Sequence, residues 1–92
     1  MRDCESQILT ALLALGGAAS LGDVYARLES VPNLLDAADL LPTMYGGRPA
    51  YQHAVRSHVT NLCQSGHLVR VSRGTYRLTE DGRRRISSSR GT

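Results

Sequence analysis

Polar side chains recur at helical spacing in residues 50–65, a segment that contains no aspartate or glutamate. Arginine forms paired hydrogen bonds with guanine, and glutamine forms them with adenine, at the base edges that the major groove exposes. We therefore expect Arg56 and Gln52 to contact bases, and Thr60 on the next turn to contact a phosphate. The residues predicted to read bases are Gln52, His53, Arg56 and Ser57.

Arginine is distributed unevenly along the chain. Residues 1–47 hold two arginines against six acidic residues, a net charge of −4, whereas residues 48–92 hold nine arginines against two, a net charge of +7. A basic half is typical of a face that binds a polyanion, although a solvated surface is the alternative. The side chains predicted to contact the DNA backbone, besides Thr60, are Arg48, Arg70, Arg73 and Arg77.

Cysteine and histidine could in principle hold a metal ion. Cys63 lies near His58 and His67, but the sequence has no C-x-x-C or H-x-x-x-H pair, and a structural zinc site needs four ligands. Cys63 also falls on an apolar helix stripe, where a buried thiol is the commoner role. We predict neither a metal nor another cofactor.

Length and composition exclude several classes of protein. A chain of 92 residues has room for one domain and little room for a self-contained catalytic pocket, so a binding domain without catalytic residues is expected. No apolar run approaches the roughly 20 residues needed to cross a bilayer. Two cysteines far apart in sequence favour a reducing compartment, and we expect the cytoplasm.

Hydrophobic periodicity predicts three helices in the first half of the chain. The first covers residues 4–15, with apolar residues at helical intervals. Ser20 is predicted to cap the second helix, with Asp23 completing a variant of the capping box. A short third helix over residues 34–41 is expected to be capped by Asn33.

The second half predicts a long helix over residues 50–65, a hairpin and a last helix. The inward stripe of the long helix is predicted to be Tyr51, Val55, Val59 and Leu62, and Ala54 and His58 could extend it. Residues 67–72 and 75–79 are β-prone and are separated by two turn-forming residues. Thr79 is predicted to cap the last helix. We expect a domain over residues 1–86 and a linker over residues 87–92.

This order of elements predicts a mainly α fold with a small β-hairpin, the winged helix-turn-helix. In such domains the helix before the hairpin enters the major groove, while the hairpin, or wing, touches the backbone or the minor groove. The major-groove helix would be residues 50–65 and the wing residues 67–79. The expected partner is double-stranded DNA.

Four stretches of the second half share the pattern of a known family. They are Gly46-Gly47-Arg48-Pro49, His53-Ala54-Val55-Arg56, Ser65-Gly66-His67-Leu68, and Arg73-Gly74-Thr75-Tyr76-Arg77-Leu78-Thr79-Glu80-Asp81-Gly82-Arg83. With them, residues 34–86 resemble the N-terminal winged-helix domain of Mrr-type restriction proteins, which act on modified DNA. The family often has tryptophan after the arginine of the long helix, where this chain has Ser57-His58. The resemblance implies a module that reads methylated or otherwise modified DNA, with a nuclease domain in the full-length protein supplying cleavage.

Reading a methyl group requires apolar contact. Tyr45 or Tyr51, beside the start of the long helix, would supply it as a modified-base pocket, although Tyr51 also lies on the inward stripe. His53 suits a base contact or a solvated face equally. His58 is predicted to be packed in the interior, and Arg83–Arg85 to be either a solvated helix end or a DNA contact.

Two other functions fit the same fold. A winged helix can dock another protein or dimerise, and it would then expose an apolar patch. The candidates for that patch are Leu40, Leu41, Met44 and Tyr45. A small winged-helix transcriptional repressor that binds palindromic DNA as a dimer is the second alternative.

Overall fold

A computed structural model describes residues 1, 3–43 and 46–90, with side chains as far as residue 87. This part of the chain forms a small α/β domain with five helices and one three-stranded sheet. The elements are α1 Cys4–Ala14, β1 Ala18–Ser20, α2 Leu21–Ser30, α3 Ala37–Leu40, α4 Ala50–Gln64, β2 Leu68–Ser72, β3 Thr75–Leu78 and α5 Glu80–Arg90. Within the described residues, none of the helices is long and apolar enough to span a membrane.

The core lies around α1, which contacts α2, α4, α5 and the sheet. Ile8, Leu9 and Leu12 on α1 are completely or almost completely buried. The predicted inward stripe of α4 is confirmed at Tyr51, Val55, Val59 and Leu62, which are buried, whereas the other two candidates, Ala54 and His58, are only partly buried. Each fully buried side chain of this size contributes about 1.5–3 kcal/mol relative to exposure, so the stripe fixes which face of α4 points outward.

The predicted two-stranded hairpin is the larger part of a three-stranded antiparallel sheet with strand order β1-β3-β2. The third strand, β1, was not expected, because a three-residue segment of Ala-Ala-Ser shows no alternation of apolar and polar residues. Pairing with β3 holds β1 in the sheet: Ala18 lies opposite Arg77, and Ser20 lies opposite Thr75. The Leu78 amide also donates to the Gly17 carbonyl at 2.8 Å, which extends the pairing by one residue.

The bounds of α1 agree with those predicted from the hydrophobic periodicity to within one residue, but the bounds of α3 differ from the prediction. Asn33 is not a cap: it has a left-handed backbone, φ 63°, and lies before the helix. Asp36 is the N-cap, and a reciprocal capping box joins it to Asp39, whose amide donates to Asp36 Oδ1 at 2.9 Å. The helix covers Ala37–Leu40 rather than residues 34–41, because this box satisfies the amides three residues later than predicted.

The loop between α3 and α4 is closed by backbone contacts. Pro42 and Pro49 form an isolated antiparallel bridge. The Thr43 amide donates to the Arg48 carbonyl, and the Ala50 amide donates to the Leu41 carbonyl, both at 2.8 Å. These bonds hold Arg48 beside the first turn of α4.

Thr79 caps α5 as predicted, since its Oγ1 accepts a hydrogen bond from the Gly82 amide at 3.1 Å. The same hydroxyl donates to the Gly66 carbonyl at 2.6 Å, which ties α5 to the end of α4. The expected linker from residue 87 is corrected: α5 continues to Arg90. Residues 83–90 contain no proline or glycine, so nothing in the segment breaks the helix.

Candidate nucleic-acid interface

The outward face of α4 presents polar side chains and no carboxylate. His53, Arg56, Ser57 and Thr60 are all exposed there. Packing of the opposite stripe into the core sets this orientation, so the four residues share one surface. Hydrogen-bond donors on an exposed, acid-free helix are suited to a polyanionic partner.

Gln52 and Thr60 on α4 already have hydrogen-bond partners within the protein. The half-buried Gln52 donates from Nε2 to the Tyr51 hydroxyl at 3.2 Å. The Thr60 hydroxyl donates to the Arg56 carbonyl at 3.2 Å, one turn earlier in the helix. A base contact by Gln52 would therefore replace an existing hydrogen bond, whereas Ser57 has no such bond to give up among those described.

Tyr51 belongs to the core, which corrects its assignment to a modified-base pocket. Its side chain is 1 % exposed, and its ring meets the Tyr25 ring edge to face at 6.0 Å. Its hydroxyl donates to the Glu29 carboxylate. Burial, with the Glu29 contact, raises the pKa of Tyr51 to about 12. No ring surface remains for a methylated base, and Tyr45, the other predicted member, lies outside the described residues.

The hairpin arginines do not share one surface. Arg70 lies opposite Tyr76 on the sheet face that also carries the buried Leu68 and Leu78. Arg77 alternates to the other face of the sheet, between Ala18 and Val69. Arg73 is exposed at the turn, and Arg77 faces away from the helices, so the three arginines predicted to contact the DNA backbone lie on different surfaces.

An open pocket of about 310 Å³ lies where the α3–α4 loop meets α4. Its lining residues are Thr43, Gly46, Arg48, His53 and Arg56. The structure thus brings Arg48, predicted to contact a phosphate, together with His53 and Arg56, predicted to read bases. Sequence reasoning missed Thr43 and Gly46, because only the closed loop brings them to the helix.

The Thr43 hydroxyl oxygen, in the lining of this pocket, is buried without a hydrogen-bond partner in the described structure. Burial raises the pKa of Tyr25, and Arg56 and Arg48 act in the opposite direction. Buried polar atoms without partners are uncommon and destabilising, so their presence here marks the site.

His58 is not interior, contrary to the prediction. Its side chain is 39 % exposed, and its Nδ1 lies 2.9 Å from Glu5 Oε2 on α1. Arg85 on α5 donates to the other Glu5 oxygen at 3.1 Å. These contacts, with the His58 hydrogen bond largest, lower the pKa of Glu5. Glu5 therefore joins α1, α4 and α5.

Three consecutive arginines of α5, Arg83–Arg85, have partners within the protein. Arg84 pairs with Asp81 one turn earlier, and the Arg83 guanidinium lies against Gly17, where an added Cβ would overlap it. Arg83 and Arg85, which is bound to Glu5, thus join α5 to other parts of the fold, whereas the Arg84 pair is exposed and lies within the helix. The proposed interface therefore leaves them out.

Both cysteines are free thiols. Burial raises the pKa of Cys4 to about 11 and also raises the pKa of Cys63, where the charge of Arg70 opposes the shift. Within the described part of the chain, no three histidine, cysteine, aspartate or glutamate side chains are grouped closely enough to hold a metal ion.

Comparison of the chain with protein-family models, curated proteins and solved structures gave no match.

Proposed function

We propose that this chain is a winged helix-turn-helix module that binds double-stranded DNA. The observation that carries the proposal is the outward face of α4, which is exposed, acid-free and continuous with Arg48 at its first turn. The element order supports it, because α4 immediately precedes the β2–β3 hairpin, as the groove helix precedes the wing in such domains.

The proposed docking places α4 in the major groove. A helix of 15 residues is about 22 Å long, and the groove admits one helix across its width. Ser57 and Arg56 would face base edges, with Gln52 available after releasing Tyr51. Arg73 at the hairpin turn would contact a phosphate, together with Arg48.

The target of the module is the second part of the proposal. The resemblance of residues 34–86 to Mrr-type restriction proteins supports a role as the recognition domain of an endonuclease that acts on modified, for instance methylated, DNA. In that role this chain binds, and a separate nuclease domain cleaves. With Tyr51 buried, contact with a methyl group would come from another residue at the start of α4.

The decisive experiment measures binding of the chain to one duplex in three forms: unmodified, cytosine-methylated and adenine-methylated, each at two salt concentrations. Fluorescence anisotropy gives the affinities. We expect salt-sensitive binding, because phosphate contacts release counterions, and tighter binding to one modified form. Equal affinity for all three forms would contradict the modified-DNA role, and no binding at low salt would overturn DNA binding itself.

An apolar patch favours a second candidate function, protein docking or dimerisation. Leu40 and Leu41 are 53 % and 60 % exposed. Beside them an open pocket of about 370 Å³ is lined by Leu35, Leu40 and Val31 among others. Self-association measured by sedimentation, abolished by Leu40→Ser, would favour this function or a dimeric repressor.

A further inference from the structure

We propose that the pocket between the α3–α4 loop and α4 binds a single phosphate group. The inference deepens the proposed DNA binding and rests on it only for the source of the phosphate. Either a backbone phosphodiester of DNA or a free phosphate ion has the chemistry that this pocket would recognise.

Hydrogen-bond donors from two separate elements converge on the pocket. Arg48 comes from the loop, whereas His53 and Arg56 come from the first two turns of α4, and all three line the pocket. A guanidinium group binds phosphate oxygens through a pair of hydrogen bonds, and it does not lose its charge near neutral pH. Two such groups facing one pocket, with no carboxylate among its lining residues, select an anion.

The Thr43 hydroxyl is a further donor at the pocket. Its oxygen is buried yet has no hydrogen-bond partner, although Thr43 lines the pocket. The backbone around it is fully engaged, since the Thr43 amide donates to Arg48 and the Thr43 carbonyl accepts from Gly47 at 3.2 Å. Because the hydroxyl oxygen has almost no surface exposed to solvent, the Thr43 side chain would rotate about χ1 to donate to a phosphate oxygen in the pocket, which would remove the penalty of an unpaired buried group.

The positive end of α4 also favours an anion at the pocket. The helix begins at Ala50 beside the pocket, has no acidic residue in its first turn, and has no side-chain hydrogen bond at its cap residue, Pro49. Its dipole therefore favours an anion at this end without competition from a carboxylate. The helix adds to the arginines and the hydroxyl, which themselves define the site.

The proposal changes the roles predicted for two residues. His53 and Arg56 would hold a phosphate rather than read a base edge. Base contacts would then fall to Ser57 and Gln52, and the phosphate would fix the position of α4 along the groove. Sequence recognition would be limited to the few residues that remain.

The test titrates the folded chain with sodium phosphate, using sodium chloride at matched ionic strength as the reference. Nuclear magnetic resonance follows the Thr43 amide, the His53 ring and the Arg56 side chain. We expect saturable shifts at these groups with phosphate only. Equal effects of the two salts would overturn the proposal.

Two variants probe the pocket, and one serves as control. Arg48→Gln and Thr43→Val should each weaken phosphate binding by roughly tenfold or more, the loss expected for one hydrogen bond to a charged group. Thr43→Val removes no intramolecular hydrogen bond, so the melting temperature of this variant should not fall. Thr43→Val therefore still tests the site if the Arg48→Gln variant unfolds. Arg27→Gln removes the same charge from an exposed position on α2 and should bind phosphate as the parent does. Parent-like binding by both pocket variants would refute the site.

DNA distinguishes the source of the phosphate and separates this proposal from the proposed function. If the pocket binds a DNA phosphate, inorganic phosphate should compete with a duplex for the chain. That competition should be lost when one backbone position of the duplex carries a neutral methylphosphonate. Phosphate binding without competition supports a free phosphate ligand. If the chain binds DNA but not inorganic phosphate, the phosphate site is refuted and the proposed function stands. If it binds phosphate but not DNA, the proposed function is refuted and the phosphate site stands.

Discussion

Arg73 and Arg77 are four residues apart on one hairpin, yet the strand register gives them different surroundings. Arg73 is exposed at the turn, where a wing meets DNA. Arg77 lies opposite Ala18 and Val69, on the face of the sheet turned away from α4. Identical side chains are therefore expected to contribute differently to binding.

We predict that Arg73→Ala weakens binding to every duplex alike and lowers the salt slope by about one, because one phosphate contact is lost. Arg77→Ala is the matched control and should change both quantities less. The measurement is duplex affinity at several salt concentrations. Equal losses in the two variants would show that the hairpin approaches DNA by a different face.

Hydrophobic periodicity was sufficient to predict the helices and strands whose buried positions repeat along the element. It predicted α1, α2, α4, the β2–β3 hairpin and the buried stripe of α4. It could not predict β1, whose three residues become a strand only because β3 offers its edge. The pocket was missed for the same reason: Thr43 and Arg48 meet α4 through a loop closed by nonperiodic hydrogen bonds.

The contact between α5 and the start of the hairpin depends on a glycine. Gly82 is buried, and a Cβ at this position would overlap the His67 carbonyl oxygen. Helix propensity alone favours alanine over glycine by about 1 kcal/mol. Here the steric term opposes that preference, because the obstructing atom belongs to the backbone and cannot rotate away.

We therefore predict that Gly82→Ala lowers the free energy of unfolding by about 1–3 kcal/mol, the usual cost of overpacking. Gly22→Ala is the control: Gly22 is exposed on α2 and only Ser20 Oγ lies near, at 3.8 Å, so the same change should stabilise by up to about 1 kcal/mol. Urea unfolding measures both. A stabilised Gly82→Ala would contradict the close approach of α5.

At the scale of the whole molecule, one carboxylate joins three helices. Glu5 on α1 contacts His58 on α4 and Arg85 on α5. These partners lower the pKa of Glu5 in the folded chain, so folding favours its ionised form. That stabilisation is complete above the ordinary glutamate pKa of about 4.3 and is lost as pH falls through the lower folded value.

We predict that the parent loses stability more steeply than Glu5→Gln when pH is lowered from 6 to 3, since the variant has no carboxylate to protonate. The two unfolding free energies should converge at the acid end. Glu80→Gln, at an exposed position on α5, controls for the general loss of a negative charge. A constant difference between parent and Glu5→Gln across this range would contradict the linkage.

The burial of Cys4 has a consequence for labelling the protein. With a pKa of about 11, its thiol is almost entirely protonated at neutral pH, and alkylating reagents react with the thiolate. Cys63, at the end of α4 and beside the charge of Arg70, is the less protected of the two thiols. A maleimide dye would therefore attach first next to the hairpin, where its fluorescence would test whether a nucleic acid binds there.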